Sequence, residues 1–205
     1  MSTDDDAGLL PSRNRELLAG LVGRAITRLT ECLAEPLDEI LASPSFSDLP
    51  PARRFSRLGG SVIVSVDGGR MVCVGSSEEM ASITVEAADE SYLDEELGPM
   101  IDATDPVQSE PGFAGMIGRA IERIRVLRFD LREDRLEFPT RTGKRIFFPR
   151  ALDLPREAAL IMELHGGGGL LFSASFLSSP AHFAVFPAAE LADAEVPWVE
   201  VLRTP

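Results

Sequence analysis

The chain has 205 residues, 44 % of them hydrophobic and 26 % charged, with a formal net charge of −13. That length and balance fit one globular domain or two small ones, and exclude a disordered, collagen-like or disulfide-scaffold chain. No apolar run reaches the roughly 18–20 residues of a membrane span, and so acidic a chain is a poor partner for nucleic acid and a better one for a basic protein.

In chain order, residues 1–11 read as a flexible acidic tail. They have neither the basic start nor the apolar run of a signal peptide, so a cytoplasmic protein is expected. Ser12 is a candidate N-cap. Leu17, Leu18, Leu21, Val22, Ala25, Ile26 and Leu29 recur at spacings of three and four, which predicts a helix ending at Gly23 or running to about Leu33. A short helix is expected over Leu37–Ala42, then a Ser/Pro loop to Pro51. Val62, Val64 and Val66 alternate before Asp67-Gly68-Gly69, and Met71 to Val74 follows, the pattern of a β-hairpin. Ser82–Glu86 reads as a third strand.

Residues 87–112 read as an acidic connector broken by Pro99, Pro106 and Pro111. From Met71 to Gly118 there are eleven acids and no Lys or Arg, whereas Arg119–Arg150 carries ten basic residues against five acids. Such blocks pair with each other or present two faces, and internal pairing is the readier expectation. Further on, Ile121–Asp130 is extended. Leu136–Phe138 and Arg145–Phe148 flank a loop. Ala159–His165 and Leu170–Phe176 form a second hairpin, and His182–Phe186 and Pro197–Leu202 are further strands, with one or two helical turns over 187–193. Phe138, Phe147, Phe148, Phe172, Phe176, Phe183 and Phe186 fall at strand positions and are core candidates. Cys32 and Cys73 sit among apolar neighbours and are expected as buried free thiols. Lys144 is the only lysine, and with the Arg, Ala, Gly and Pro content this suggests a GC-rich bacterial genome.

Leu21-Val22-Gly23-Arg24-Ala25-Ile26-Thr27-Arg28-Leu29 resembles Met116-Ile117-Gly118-Arg119-Ala120-Ile121-Glu122-Arg123-Ile124, with five identities at an offset of 95 positions. Each copy precedes a hairpin and more β sequence, so a duplicated unit competes with coincidence in an Arg/Ala-rich chain. If the copies are related, both cannot be read differently; Val126, Leu127 and Phe129 favour the strand reading. The fold expected is α+β, mostly antiparallel hairpins or a meander with an N-terminal helix, divided into residues 12–110 and 111–205 as two related halves.

Few residues group into a site for chemistry. His165-Gly166-Gly167-Gly168-Gly169 resembles the HGGG oxyanion-hole segment of lipases and esterases, in which backbone N–H groups face the developing oxyanion. The resemblance would cast Ser173, Ser175 and His165 as reacting groups, with His182 as general base, but the chain has no G-x-S-x-G elbow, and a glycine hairpin tip explains the run. Arg53-x-x-x-Arg57 resembles the opening of PilZ domains, which implies cyclic-dinucleotide binding through arginine. The second PilZ motif, D-x-S-x-x-G, is unmatched at Val74–Glu79. Two histidines and two distant cysteines make no zinc site, the Asp94 region lacks calcium-loop spacing, and Thr142-Gly143-Lys144 lacks the glycine of a phosphate loop. No cofactor or metal is therefore expected.

What remains is a non-enzymatic, acidic binding module of immunity, adaptor or chaperone type with a basic protein partner, or a homodimer. The expected docking residues are Asp89, Glu90, Asp94, Glu95, Glu96, Asp102 and Asp105, with Trp198 as an aromatic anchor or a core residue. The PilZ-like sensor and the esterase-like hydrolase are the alternatives.

Overall fold

The computed structural model describes residues 9–77, 82–94, 98–129, 138–139, 145–146, 156–175, 182–187 and 198–203. It is α+β and mostly antiparallel β, as the alternation in the hairpins predicts. The elements are α1 (Arg15–Ala19), β1 (Ile26–Cys32), α2 (Leu37–Ala42), β2 (Ser61–Val66), β3 (Arg70–Ser77), β4 (Ser82–Ala88), β5 (Met100–Asp102), α3 (Pro111–Ala114), β6 (Ile121–Phe129), β7 (Phe138–Pro139), β8 (Arg145–Ile146), β9 (Arg156–Leu164), β10 (Gly169–Ser175), β11 (His182–Pro187) and β12 (Trp198–Arg203). Strands order as β4-β3-β2-β1-β5 in one sheet and β11-β10-β9-β6-β12 in a second, with β7 and β8 as a separate ribbon. Among the described residues no helix is long and apolar enough to cross a membrane.

Alternation sets the inner faces. Val62, Val64 and Val66 on β2 and Val72 and Val74 on β3 point inward. So do Leu160, Met162 and Leu164 on β9 and Leu170 and Phe172 on β10, and both rows join one continuous core. The pairings of the two sheets match. Val64 lies opposite Val72, and 98 positions on, Met162 lies opposite Leu170. Thr30 lies opposite Asp102 as Arg125 lies opposite Glu200. Both first strands carry a bulge at the same place, between Ile26 and Arg28 and between Ile121 and Arg123.

The repeated segment is where the sheets meet. Gly23 N–H donates to Ile121 O at 2.8 Å and Gly118 N–H to Ile26 O at 2.7 Å; Ile26 N–H donates to Arg119 O and Ile121 N–H to Arg24 O, both at 2.9 Å. Each bond has its counterpart with the halves exchanged. Gly23 (φ +81°) and Gly118 (φ +85°) hold left-handed conformations that other residues adopt at a cost. Arg24 then reaches the carbonyl of Asp67 in the first hairpin turn, and Arg119 that of His165 in the second. Glycine, arginine and isoleucine thus have identical duties in both copies.

The long N-terminal helix is corrected. Only Arg15–Ala19 is helical, and Asn14, not Ser12, precedes it as N-cap. From Ile26 the chain is strand. The helical spacing of Ile26 and Leu29 comes from the bulge, whose extra residue brings both side chains inward three positions apart. The tail boundary also moves: Leu10 is 2 % exposed, and Leu9 O accepts from Val85 N–H on β4 at 2.7 Å. Within the 87–112 connector lie a 3-10 turn at Glu90–Leu93 and the short β5. Leu37–Ala42, both hairpins and the strands near 82, 121, 182 and 198 stand where expected. The expected helical turn over 187–193 falls outside the described residues apart from Pro187, which ends β11. Of the seven phenylalanines, Phe172 is buried, and Phe147, Phe148 and Phe176 lie outside the described residues. Phe55 and Phe113, which no strand pattern marked, are core residues in edge-to-face contact at 4.9 Å. Both cysteines are free, Cys73 buried and Cys32 half-buried.

Candidate functional site

The acidic run is divided between half-buried and exposed carboxylates. Asp102, on β5, accepts from Arg28 Nε at 2.8 Å and from Thr104. Burial opposes ionisation of its carboxyl, but these hydrogen bonds prevail and hold it below the usual aspartate range. Asp105 closes its own turn, accepting from Val107 N–H at 2.8 Å and from Gln108, and the Gln108 side chain is the main cause of its lowered pKa. Glu110 pairs with Arg53 at 2.7 Å.

Asp89, Glu90 and Asp94 are exposed on the 3-10 turn that follows β4. Asp89 caps that turn, accepting from Ser91 N–H at 2.9 Å and from the Ser91 hydroxyl, which keeps it ionised. The turn is anchored over the first sheet by Tyr92, whose carbonyl accepts from Cys32 Sγ at 3.7 Å and whose phenol is pushed up by the nearby Glu86 carboxylate. Cys73, beneath, is pushed up to about 12 by burial and by Glu86. Glu95 and Glu96 lie outside the described residues. Trp198 opens β12 opposite Leu127 in the second sheet, so it is not part of the acidic turn.

Three arginines of the basic block have partners in the β9–β10 hairpin. Arg119 donates to the carbonyls of His165 and Gly167. Arg123 and Arg125 both clasp Glu163, Arg123 at 2.5 Å. These three side chains, with Gly167 and Gly168, line a half-open cavity of about 380 Å³ on the outer face of the second sheet. The sequence signal for it was present: Arg123 and Arg125 alternate with the inward Ile124 and Val126, and Glu163 lies between the inward Met162 and Leu164. A carboxylate held by two guanidiniums ties β6 to β9; it is an acceptor already in use.

The two resembling motifs occupy structural positions. His165–Gly168 is the β9–β10 turn, with positive φ at Gly166, Gly167 and Gly168, and Gly167 N–H donates to Leu164 O. Arg53 ends a 3-10 turn, paired with Glu110. Among the described residues no three His, Cys, Asp or Glu side chains gather as metal ligands.

Sequence reasoning missed two buried carboxylates. Glu157, 0 % exposed, accepts from Ser12 N–H at 2.9 Å. Glu31, 1 % exposed, accepts from Ser56 N–H at 2.7 Å and Gly60 N–H at 3.3 Å. Composition gives no sign of either, since a glutamate in a strand reads as solvent-facing. Compared with known proteins, the chain matches no family model, no curated protein and no solved structure.

Proposed function

We propose that the protein is a non-enzymatic binding module that docks a basic protein partner on the acidic turn after β4. The observation that carries this reading is the division of the acidic run. Asp102, Asp105 and Glu110 are half-buried, the first and last beside Arg28 and Arg53, while Asp89, Glu90 and Asp94 are exposed in a stretch with no Lys or Arg from Met71 to Gly118. An ordered, capped turn presents these charges at little further entropic cost on binding. Complementary charge speeds encounter and weakens with salt.

The test is affinity capture from the source lysate with the native chain and with the D89K/E90K/D94K variant. A stoichiometric basic protein, held at low salt, released at high salt and lost from the variant, is the expected result. Recovery of the native chain alone or as a homodimer, or a partner the variant retains, would overturn the reading.

A further inference from the structure

The two matched sheets part company at one place on their outer faces. In the first sheet Arg28 stands opposite Ser65, and Ser65 opposite Met71. In the second, Arg123 stands opposite Glu163, and Glu163 opposite Gly169. One pair further along, Thr30 opposite Ile63 is matched by Arg125 opposite Ile161, and the bulge residue Thr27 by Glu122. The strands pair alike in both sheets, so their pairing needs neither Arg125 nor Glu163. The difference is in the surface: a methionine is matched by a glycine, and three short hydroxyl side chains are matched by charged ones. At this place in the second sheet lies the half-open cavity of about 380 Å³.

Its lining selects a class of ligand. Ile161, 4 % exposed, supplies an apolar floor. The glycine turn leaves one wall open, since a Cβ at Gly167 or Gly168 would meet nothing within 4 Å. Glu163 accepts from Arg123 Nε at 2.5 Å and from Arg125 Nη2. This clasp fixes the direction of both guanidiniums, and one carboxylate does not use all the donors of two such groups. Arg119 brings a third positive charge to the turn, where it donates to the His165 and Gly167 carbonyls. Against the three arginines stand Glu122 and Glu163. On β12, Glu200 opposite Arg125 and Arg203 opposite Arg123 cancel each other. The balance is one positive charge, in a chain whose formal net charge is −13. Oriented guanidiniums beside an apolar floor suit an oxyanion that carries an apolar body, and the volume is that of a small-molecule pocket.

We propose that this cavity binds a small organic oxyanion, a carboxylate or a phosphate monoester, with its charged group on Arg123 and Arg125 and its apolar part over Ile161. The site lies on the second sheet and is independent of the acidic turn after β4.

The experiment is calorimetric titration of the full chain with phenyl phosphate and with benzoate, and with benzyl alcohol as the uncharged control. At least one anion should bind with a Kd on the order of 1 mM or tighter, and the tighter of the two names the charged group. The alcohol should bind about tenfold more weakly or less. The double variant Arg125→Thr with Glu163→Ser copies Thr30 and Ser65 of the first sheet, and should weaken anion binding about tenfold. Gly168→Asp adds a carboxylate to the open wall, at a left-handed position that Asp and Asn both tolerate. It should weaken binding by a similar factor, and Gly168→Asn should leave it nearly unchanged; this pair supplies the test if the double variant does not fold. No anion binding by the native chain, equal binding of the alcohol, an unchanged Kd in the folded double variant, or equal effects of Asp and Asn would overturn the site.

Discussion

Two glycines separate backbone conformation from close approach as reasons for a missing side chain. Gly118 has φ +85° and open space where a Cβ would stand, so Gly118→Ala meets only the left-handed penalty and should cost about 1 kcal/mol. At Gly169 a Cβ would meet the Met162 carbonyl oxygen. Gly169→Ala has to displace backbone between β9 and β10, and should cost about 2–3 kcal/mol. Urea denaturation of both variants checks the ranking. Glu31 sets a slope at the same scale. Its folded pKa of about 7 lies above the value of 4.5 it takes when exposed, so its contribution is fully present below pH 4.5 and is lost as pH rises to 7. The amount is about 3 kcal/mol. Asp102 and Asp105, with lowered pKa values, act the other way and lose their contribution below the usual 3.8. Stability should peak between about pH 4 and 5. Thermal melts across pH 3–9 would show the peak, and Glu31→Gln should flatten the alkaline side.

At the scale of elements, β1 and β6 show what a sequence pattern can and cannot reveal. Ile121 is fully buried at the junction of the sheets, and Ile121→Ala should cost about 2–5 kcal/mol by leaving a cavity. Arg119, which holds the β9–β10 turn from the surface, should cost about 1 kcal/mol when replaced by alanine. Calorimetry on the two variants separates core from clasp. The hairpins were legible because strict alternation of Val62, Val64 and Val66 around Asp67-Gly68-Gly69 has one reading. β1 was not, because a bulge converts a period of two into a spacing of three that a helix also shows. The three-residue β5 is too short to display a period, and it exists because β1 offers it an edge. The same limit applies to the candidate site. The acidic stretch was visible in composition, but which carboxylates face outward depended on Arg28 and Arg53, distant in sequence and close in the fold. Nothing along the chain tells that Glu31 and Glu157 point inward.

For the whole molecule, the matched registers give the resemblance of the two segments a physical content. We propose that the halves descend from a duplicated unit: strand order, bulge, turn clasp and reciprocal bonds recur together at offsets of 95 and 98 positions. In the first half β5 leads into α3, and at the matching place α1 lies against β12. A permuted chain opened between the exposed Pro106 and Val107, with its old ends linked, should therefore keep one cooperative melting transition; split transitions or an unfolded product would show that the halves are not equivalent. The halves differ in one respect that bears on how the protein is made. Ser12 bonds Glu157 across 145 positions, and the same N-terminal stretch covers the edge of β4 through Leu9 and Asn14. On a ribosome adding about 5–20 residues per second, that stretch waits on the order of 10 s for its seat on β9 to be synthesised. The tie from Ser12 to Glu157 thus closes long after Ser12 itself is made. The stretch's cover of the β4 edge can form as soon as β4 is made; only its tie to the second sheet has to wait.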